Sequence, residues 1–223
     1  ELDFGLDSLI HTLENHSFKA TGYPGQSMDS ASAFGELRDT YENKSNNPEF
    51  EEISLKPNSI LRGDLRNPYG EETDLCMKTY CILTWEQTDP TQPLQIDPFY
   101  CNAKGLIIAN GDVEIYPDFK NEPNHSDYAC IILANGNITI KTTGGSSQIT
   151  PDYDIVEAFL IANGHIEIEK VTTEDPPNDK GLFVEGGLIG FEPEATTNSS
   201  VLNRREILFS NMGRYPVLVV QGN

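Results

Sequence analysis

A ten-residue unit occurs three times in this chain, as Leu106-Ile-Ile-Ala-Asn-Gly-Asp-Val-Glu-Ile115, Ile131-Ile-Leu-Ala-Asn-Gly-Asn-Ile-Thr-Ile140 and Phe159-Leu-Ile-Ala-Asn-Gly-His-Ile-Glu-Ile168. A looser fourth copy reads Leu182-Phe-Val-Glu-Gly-Gly-Leu-Ile-Gly-Phe191, with Gly186 and Gly187 in the places of the Asn-Gly pair. The glycine at the second position of each pair falls at 111, 136, 164 and 187, so the copies return every 23–28 residues. A period of that size points to a solenoid, in which each unit hides its apolar face only by stacking on its neighbours.

Apolar and polar residues alternate within each copy, the pattern of a strand with one buried face. Read this way, Leu106, Ile108, Val113 and Ile115 face the interior while Asp112 and Glu114 face solvent. Ile131, Leu133, Ile138 and Ile140 repeat that phase, as do Phe159, Ile161, Ile166 and Ile168, and then Leu182, Val184, Ile189 and Phe191. The expected fold is all-β: a parallel β-solenoid of roughly 23–28-residue coils with a mixed, partly helical N-terminal cap. Asn110, Asn135 and Asn163 would stack at about 4.8 Å per coil. There their amides can bond in a structural ladder, and Asn tolerates left-handed geometry. The alternative is a set of stacked antiparallel hairpins, because Asn-Gly between apolar alternations is also a strong hairpin signal. The coil-length return of the copies favours the solenoid. So does the poor pairing that a hairpin would force on Ile107, Ile132 and Leu160 against Glu114, Thr139 and Glu167.

Two segments are expected. Residues 1–52 form an N-terminal cap or interaction segment, with a short helix over 6–16 (Leu6, Leu9, Ile10 and Leu13 at helical spacing) and a second over 32–41. Residues 53–223 form the solenoid. Ser59 to Arg66 reads as a degenerate unit whose Gly63 lies 48 residues before Gly111, room for two coils, and Tyr80-Cys-Ile-Leu-Thr-Trp85 supplies the strand between. Variation falls in the loops that follow each unit. Val217, Leu218, Val219 and Val220 make a β-prone terminal strand with no charge to block its edge, an expected assembly edge that recruits another strand unless it is covered. The sequence begins at Glu1 rather than Met and stops within what reads as a further coil, the pattern of a trimmed chain.

Asp and Glu number 35 against 15 Lys and Arg, a net charge of −20 that disfavours nucleic acid and anionic membranes as partners. No apolar run reaches the roughly 18 residues of a spanning helix. Cys76, Cys81, Cys101 and Cys130 are candidate disulfide partners, an even set in an acidic chain rich in Asn, Thr and Gly. Disulfides are the favoured reading, and four buried thiols are the alternative. Five Asn-x-Ser/Thr triplets, at Asn15, Asn43, Asn124, Asn137 and Asn198, are expected by chance in such a composition.

From about residue 100 to 223 the text resembles the short-coil β-solenoid regions of bacterial cell-surface proteins, in which "IIANGxIxI"-like coils recur. The resemblance lies in architecture and motif style. It implies an extracellular structural protein, such as a surface-layer, adhesin or filament subunit, with self-association or other cell-surface proteins as partners. It carries no catalytic residues.

The alternative function is a carbohydrate-active β-helix enzyme, a polysaccharide lyase or glycosidase, or a glycan-binding module. Such enzymes use outward carboxylates on neighbouring coils, for which Asp112, Glu114, Glu167 and Glu169 are the candidates. Asn137 and Thr139 lie between them, so a solvated polar face is the simpler interpretation, and the chain is not expected to be an enzyme. No cofactor is expected. Calcium at Asp152 and Asp154 is the one metal to consider, although no calcium-loop motif frames them. His165 reads as a surface histidine, and His11 and His16 miss the i, i+4 metal spacing. Arg204, Arg205 and Arg214 form the basic cluster, suited to ion pairs.

Overall fold

The computed structural model describes residues 50–71, 73–122, 129–143, 153–170, 180–191 and 199–205, and the backbone of 217–220. All belong to the second of two compact units, Ser45–Asn223. The expected helices, His11, His16, Asp152 and Arg214 lie outside the described residues. Residues 50–52, assigned above to the N-terminal segment, open the first strand.

Every strand pair is parallel. The first face of the solenoid stacks β1 (Phe50–Ser54), β3 (Tyr80–Glu86), β5 (Lys104–Asn110), β8 (Cys130–Ala134), β11 (Phe159–Ala162) and β14 (Gly187–Gly190) in that order. The remaining strands divide along the length of β4 (Leu94–Cys101). Its first half pairs with β6 (Val113–Ile115), on which β9 (Ile138–Ile140), β12 (Ile166–Ile168) and β15 (Val201–Asn203) stack as a second face. Its second half pairs with β7 (Phe119–Asn121), followed by β10 (Tyr153–Val156), β13 (Gly181–Glu185) and β16 (Val217–Val220), the third face. β2 (Ile60–Asp64) pairs along the other edge of β4. The described residues thus form a three-faced parallel β-solenoid.

The hairpin alternative fails on backbone conformation. A two-residue Asn-Gly hairpin of the favoured type needs positive φ at both residues. Among the described residues, positive φ occurs only at Asn58, Gly63, Gly70 and Gly186. The Asn-Gly pairs are corners in which the chain passes from the first face to the second and pairs with the coils above and below. The left-handed geometry expected for the ladder asparagines is absent for the same reason.

The interior phase of the first half-unit is the reverse of the sequence expectation. Period-two alternation runs unbroken through the corner, so Val113 and Ile115 share the interior with Ile107 and Ala109 rather than with Leu106 and Ile108. Leu83, Ile107, Ile132, Leu160 and Leu188 form one inward column, with successive coils of 24, 25, 28 and 28 residues. Trp85 stands at the head of an alanine column, Ala109, Ala134 and Ala162, beside the corner. On the second face Leu94, Val113, Ile138 and Ile166 align, as do Ile96, Ile115, Ile140 and Ile168; on the third, Phe99, Phe119, Val156 and Val184. Each fully buried aliphatic side chain of these columns contributes roughly 1.5–3 kcal/mol. The outward side chains Leu106, Ile108, Ile131, Leu133 and Ile161 are buried as well, so the first sheet is apolar on both surfaces.

Two proposed equivalences shift. Gly63 lies in β2, opposite Phe99 of β4, and the residue stacked below Gly111 is Gln87. In the fourth copy, Leu182 and Val184 belong to the third face, and Gly186-Gly187 turns the chain from the third face to the first. The true counterpart of Leu160-Ile-Ala162 is Leu188-Ile-Gly190. Gly186 has φ +138°, and a Cβ there would lie 2.3 Å from the Ala158 carbonyl oxygen, so this corner admits only glycine.

Candidate functional site

The Asn-Gly corner carries two ladders of different construction. In the first, Asn135 Nδ2 donates to Asn110 Oδ1 at 2.7 Å and Asn163 Nδ2 donates to Asn135 Oδ1 at 3.3 Å. Asn110 Nδ2 in turn donates to Glu86 Oε2 at 2.7 Å, so a carboxylate ends the row on one side. On the other side Phe191 occupies the next rung, and Asn163 Oδ1 has no partner among the described residues.

The second ladder was not expected from the sequence. Side chains at or just past each corner accept a backbone N–H from the next coil: Gln87 Oε1 from Asp112 at 3.1 Å, Asp112 Oδ1 from Asn137 at 2.7 Å, and Asn137 Oδ1 from His165 at 3.0 Å. These bonds satisfy amides that the corner removes from the sheet ladder. They also explain the glycines. A Cβ at Gly111, Gly136 or Gly164 would come within 2.2 Å of Gln87 Oε1, Asp112 Oδ1 or Asn137 Oδ1, respectively. The glycines are required by close approach, not by backbone angle. The recurring acceptor after each glycine, Asp then Asn, was the signal in the sequence.

The outer surface of the second face continues from this corner. Gln95, Glu114, Thr139 and Glu167 form one outward row by strand register. Beside it, Lys141 Nζ lies 3.4 Å from Glu114 Oε1 and 2.9 Å from Glu169 Oε1, and Arg204 Nε lies 3.4 Å from Glu167 Oε1. Tyr116 donates its hydroxyl to Glu114 Oε2 at 3.4 Å. Burial, reinforced by the Glu114 charge, raises the Tyr116 hydroxyl above its usual range. For Lys141, burial alone would lower the ammonium, but the hydrogen bond to Glu169 and the field of Glu114 outweigh it and the net shift is upward. Of the candidate carboxylates, Asp112 is therefore tied into the corner and Glu114, Glu167 and Glu169 into ion pairs. A shallow groove of about 280 Å³ runs along this face, lined by Asp112, Glu114, Asn137, Thr139, His165 and Glu167. Glu114 and Glu167 flank Thr139 and sit two coil spacings apart, on the order of 9–10 Å.

Asp154 lies in the interior. Its carboxylate is 2.7 Å from Arg205 Nη1, a close ion contact, and it accepts from the Thr143 hydroxyl. Arg205 also donates to the carbonyls of Lys180, Gly181 and Lys141, bracing segments from successive coils. Among the described residues, no three His, Cys, Asp or Glu side chains converge as metal ligands.

The four cysteines form two disulfides, Cys76–Cys81 and Cys101–Cys130, each with Cα atoms 6.0 Å apart. The first closes the loop before β3. The second joins the last residue of β4 to the first residue of β8, the strand stacked on β5. Val217 to Val220 pair in parallel with Leu182 to Glu185, placing β16 as the last strand of the third face. No helix of the described residues is long and apolar enough to cross a membrane. No protein-family model, curated protein or solved structure matches this chain.

Proposed function

We propose that this chain is an extracellular structural protein, a surface-layer, adhesin or filament subunit of the kind its repeat resembles in bacterial cell-surface proteins. The observation that carries this reading is a continuous parallel stack stapled by two buried disulfides, a construction suited to oxidising surroundings. The fold uses its recurring polar side chains on itself: the corner residues bond coil to coil, and the outward carboxylates are largely engaged with Lys141 and Arg204. Its partners are further copies of itself or other surface proteins. Electron microscopy of the purified protein, together with immunolabelling of intact cells, tests this: filaments or lattices and a surface label are expected. A dispersed monomer confined to the reducing cytoplasm would overturn it.

The groove on the second face favours one other reading, a glycan-binding module or carbohydrate-active enzyme, because its acidic and amide side chains match the hydrogen-bonding pattern of sugar hydroxyls. Cleavage of an acidic or neutral polysaccharide that is lost in Glu114→Gln and Glu167→Gln would establish it in place of the structural role.

A further inference from the structure

The chain contains three Asn-Gly dipeptides, 110–111, 135–136 and 163–164, and all three stand at the same corner. We propose that Asn110 is the site of spontaneous deamidation in the folded protein, and that the stack shields Asn135 and Asn163 from the same reaction. Asn-Gly is prone to this chemistry because glycine has no side chain to hinder attack by its own backbone nitrogen. The Gly nitrogen gives up its proton and bonds to the Asn Cγ. The Cγ–Nδ2 bond breaks, ammonia leaves, and a five-membered succinimide remains. Water then opens the ring at either carbonyl, giving aspartate or isoaspartate.

The attacking nitrogen is in a different state at the three corners. Gly136 N–H donates to the Gly111 carbonyl at 3.0 Å, and Gly164 N–H donates to the Gly136 carbonyl at 3.0 Å. Attack at either site first breaks a bond between coils. Gly111 is the lowest of the three glycines, with Gln87 beneath it. Its N–H has no acceptor among the described residues, because the Gln87 side chain bonds Asp112 instead. The Asn side chains do not separate the sites in the same way, since all three donate through Nδ2. Solvent exposure ranks them differently again: Asn135 is exposed, whereas Asn110 and Asn163 are half-buried. Hydrogen bonding and exposure thus name different residues as the first to react.

The product would damage its own rung. Aspartate at 110 loses the 2.7 Å bond to Glu86 and sets a second carboxylate against it, and isoaspartate lengthens the main chain by one methylene at the corner.

Peptide mapping by mass spectrometry, on folded protein held at 37 °C in mildly alkaline buffer, reads the conversion at each site. Asn110 is expected to convert at least about tenfold faster than Asn135 or Asn163, the protection being that of a bond broken only by local opening. In the reduced, alkylated protein in urea, the three rates should fall within about twofold, as all N–H groups are then solvated. Asn135 converting first in the folded protein would overturn the proposal, as would one ranking in both states, or an Asn110 as protected in the fold as the other two.

Discussion

Arg205 Nη1 lies 2.7 Å from the Asp154 carboxylate, with the two side chains only 0% and 2% exposed. An ion pair this deep is held by geometry, for each charge would be costly alone in the interior. Arg205→Ala leaves the carboxylate uncompensated and frees three carbonyls, and a loss of about 3–5 kcal/mol is expected. Asp154→Ala should cost a similar amount, but the double substitution should cost clearly less than the sum. Urea denaturation of the four proteins measures the coupling; strict additivity would refute the pairing.

The asparagine row predicts a graded result. Asn135 bonds in both directions, so Asn135→Ala removes two bonds and should cost about 1–3 kcal/mol. Asn163→Ala removes one, the longer at 3.3 Å, and should cost less. Glu114→Ala, which deletes partly exposed contacts to Lys141 and Tyr116, should stay within about 1 kcal/mol. Thermal melts of the three variants rank them, and equal melting temperatures would contradict the ladder as a source of stability.

The same residues show how far the sequence could be read. The coil period, the parallel architecture and the stacking of Asn110, Asn135 and Asn163 were legible because identical residues recur at identical places. The interior phase was not. Leu106, Ile107 and Ile108 are all apolar, so alternation alone cannot say which of them faces in, and only continuity through Gly111 to Val113 decides it. Gly186-Gly187 misled for a similar reason: two glycines imitate an Asn-Gly corner, whereas register places them between the third face and the first. The Arg205–Asp154 pair spans 51 positions and no repeat marks it, so nothing in the linear order brought the two together.

The two disulfides should differ in worth. Closing a longer loop removes more freedom from the unfolded chain, and separations of 29 and 5 residues give stabilisations of about 3.6 and 2 kcal/mol in the loop-entropy description. The Cys101→Ser, Cys130→Ser protein should therefore unfold at lower denaturant than the Cys76→Ser, Cys81→Ser protein. The reverse order would mean that strain or residual structure, rather than loop closure, governs these bonds.

Alkaline stability follows from Lys141 and Tyr116. The folded pKa of Lys141 is raised above 10.5 and that of Tyr116 above 10.0, so over this range the folded chain retains protons that the unfolded chain has released. Their contribution is complete below the unfolded values and is lost as pH rises through the folded ones. Stability should decline above about pH 10. Tyr116→Phe should flatten that decline without altering stability near neutrality by more than about 1 kcal/mol. An unchanged alkaline limb in Tyr116→Phe would remove this tyrosine from the account.

The corner glycines give a sharper test, because two of them fail for different reasons. At Gly164 the first obstacle to a Cβ is Asn137 Oδ1 at 2.2 Å, with the Gly136 carbonyl oxygen farther off at 3.1 Å. At Gly136 the Asp112 Oδ1 contact at 2.2 Å is backed by main-chain atoms, Gly111 C at 2.8 Å and Asp112 N at 2.9 Å. Both Gly→Ala substitutions should destabilise by about 1–3 kcal/mol through overpacking. Removing the side-chain obstacle should separate them. In an Asn137→Ala background, Gly164→Ala should lose most of its additional cost, since the remaining neighbour is reached by a shift of a few tenths of an ångström. In an Asp112→Ala background, Gly136→Ala should remain costly, because the backbone below it cannot swing away as a side chain can. Equilibrium unfolding of the two double-mutant cycles measures both couplings, and relief at Gly136 equal to that at Gly164 would show that the backbone of the corner yields more readily than its packing implies.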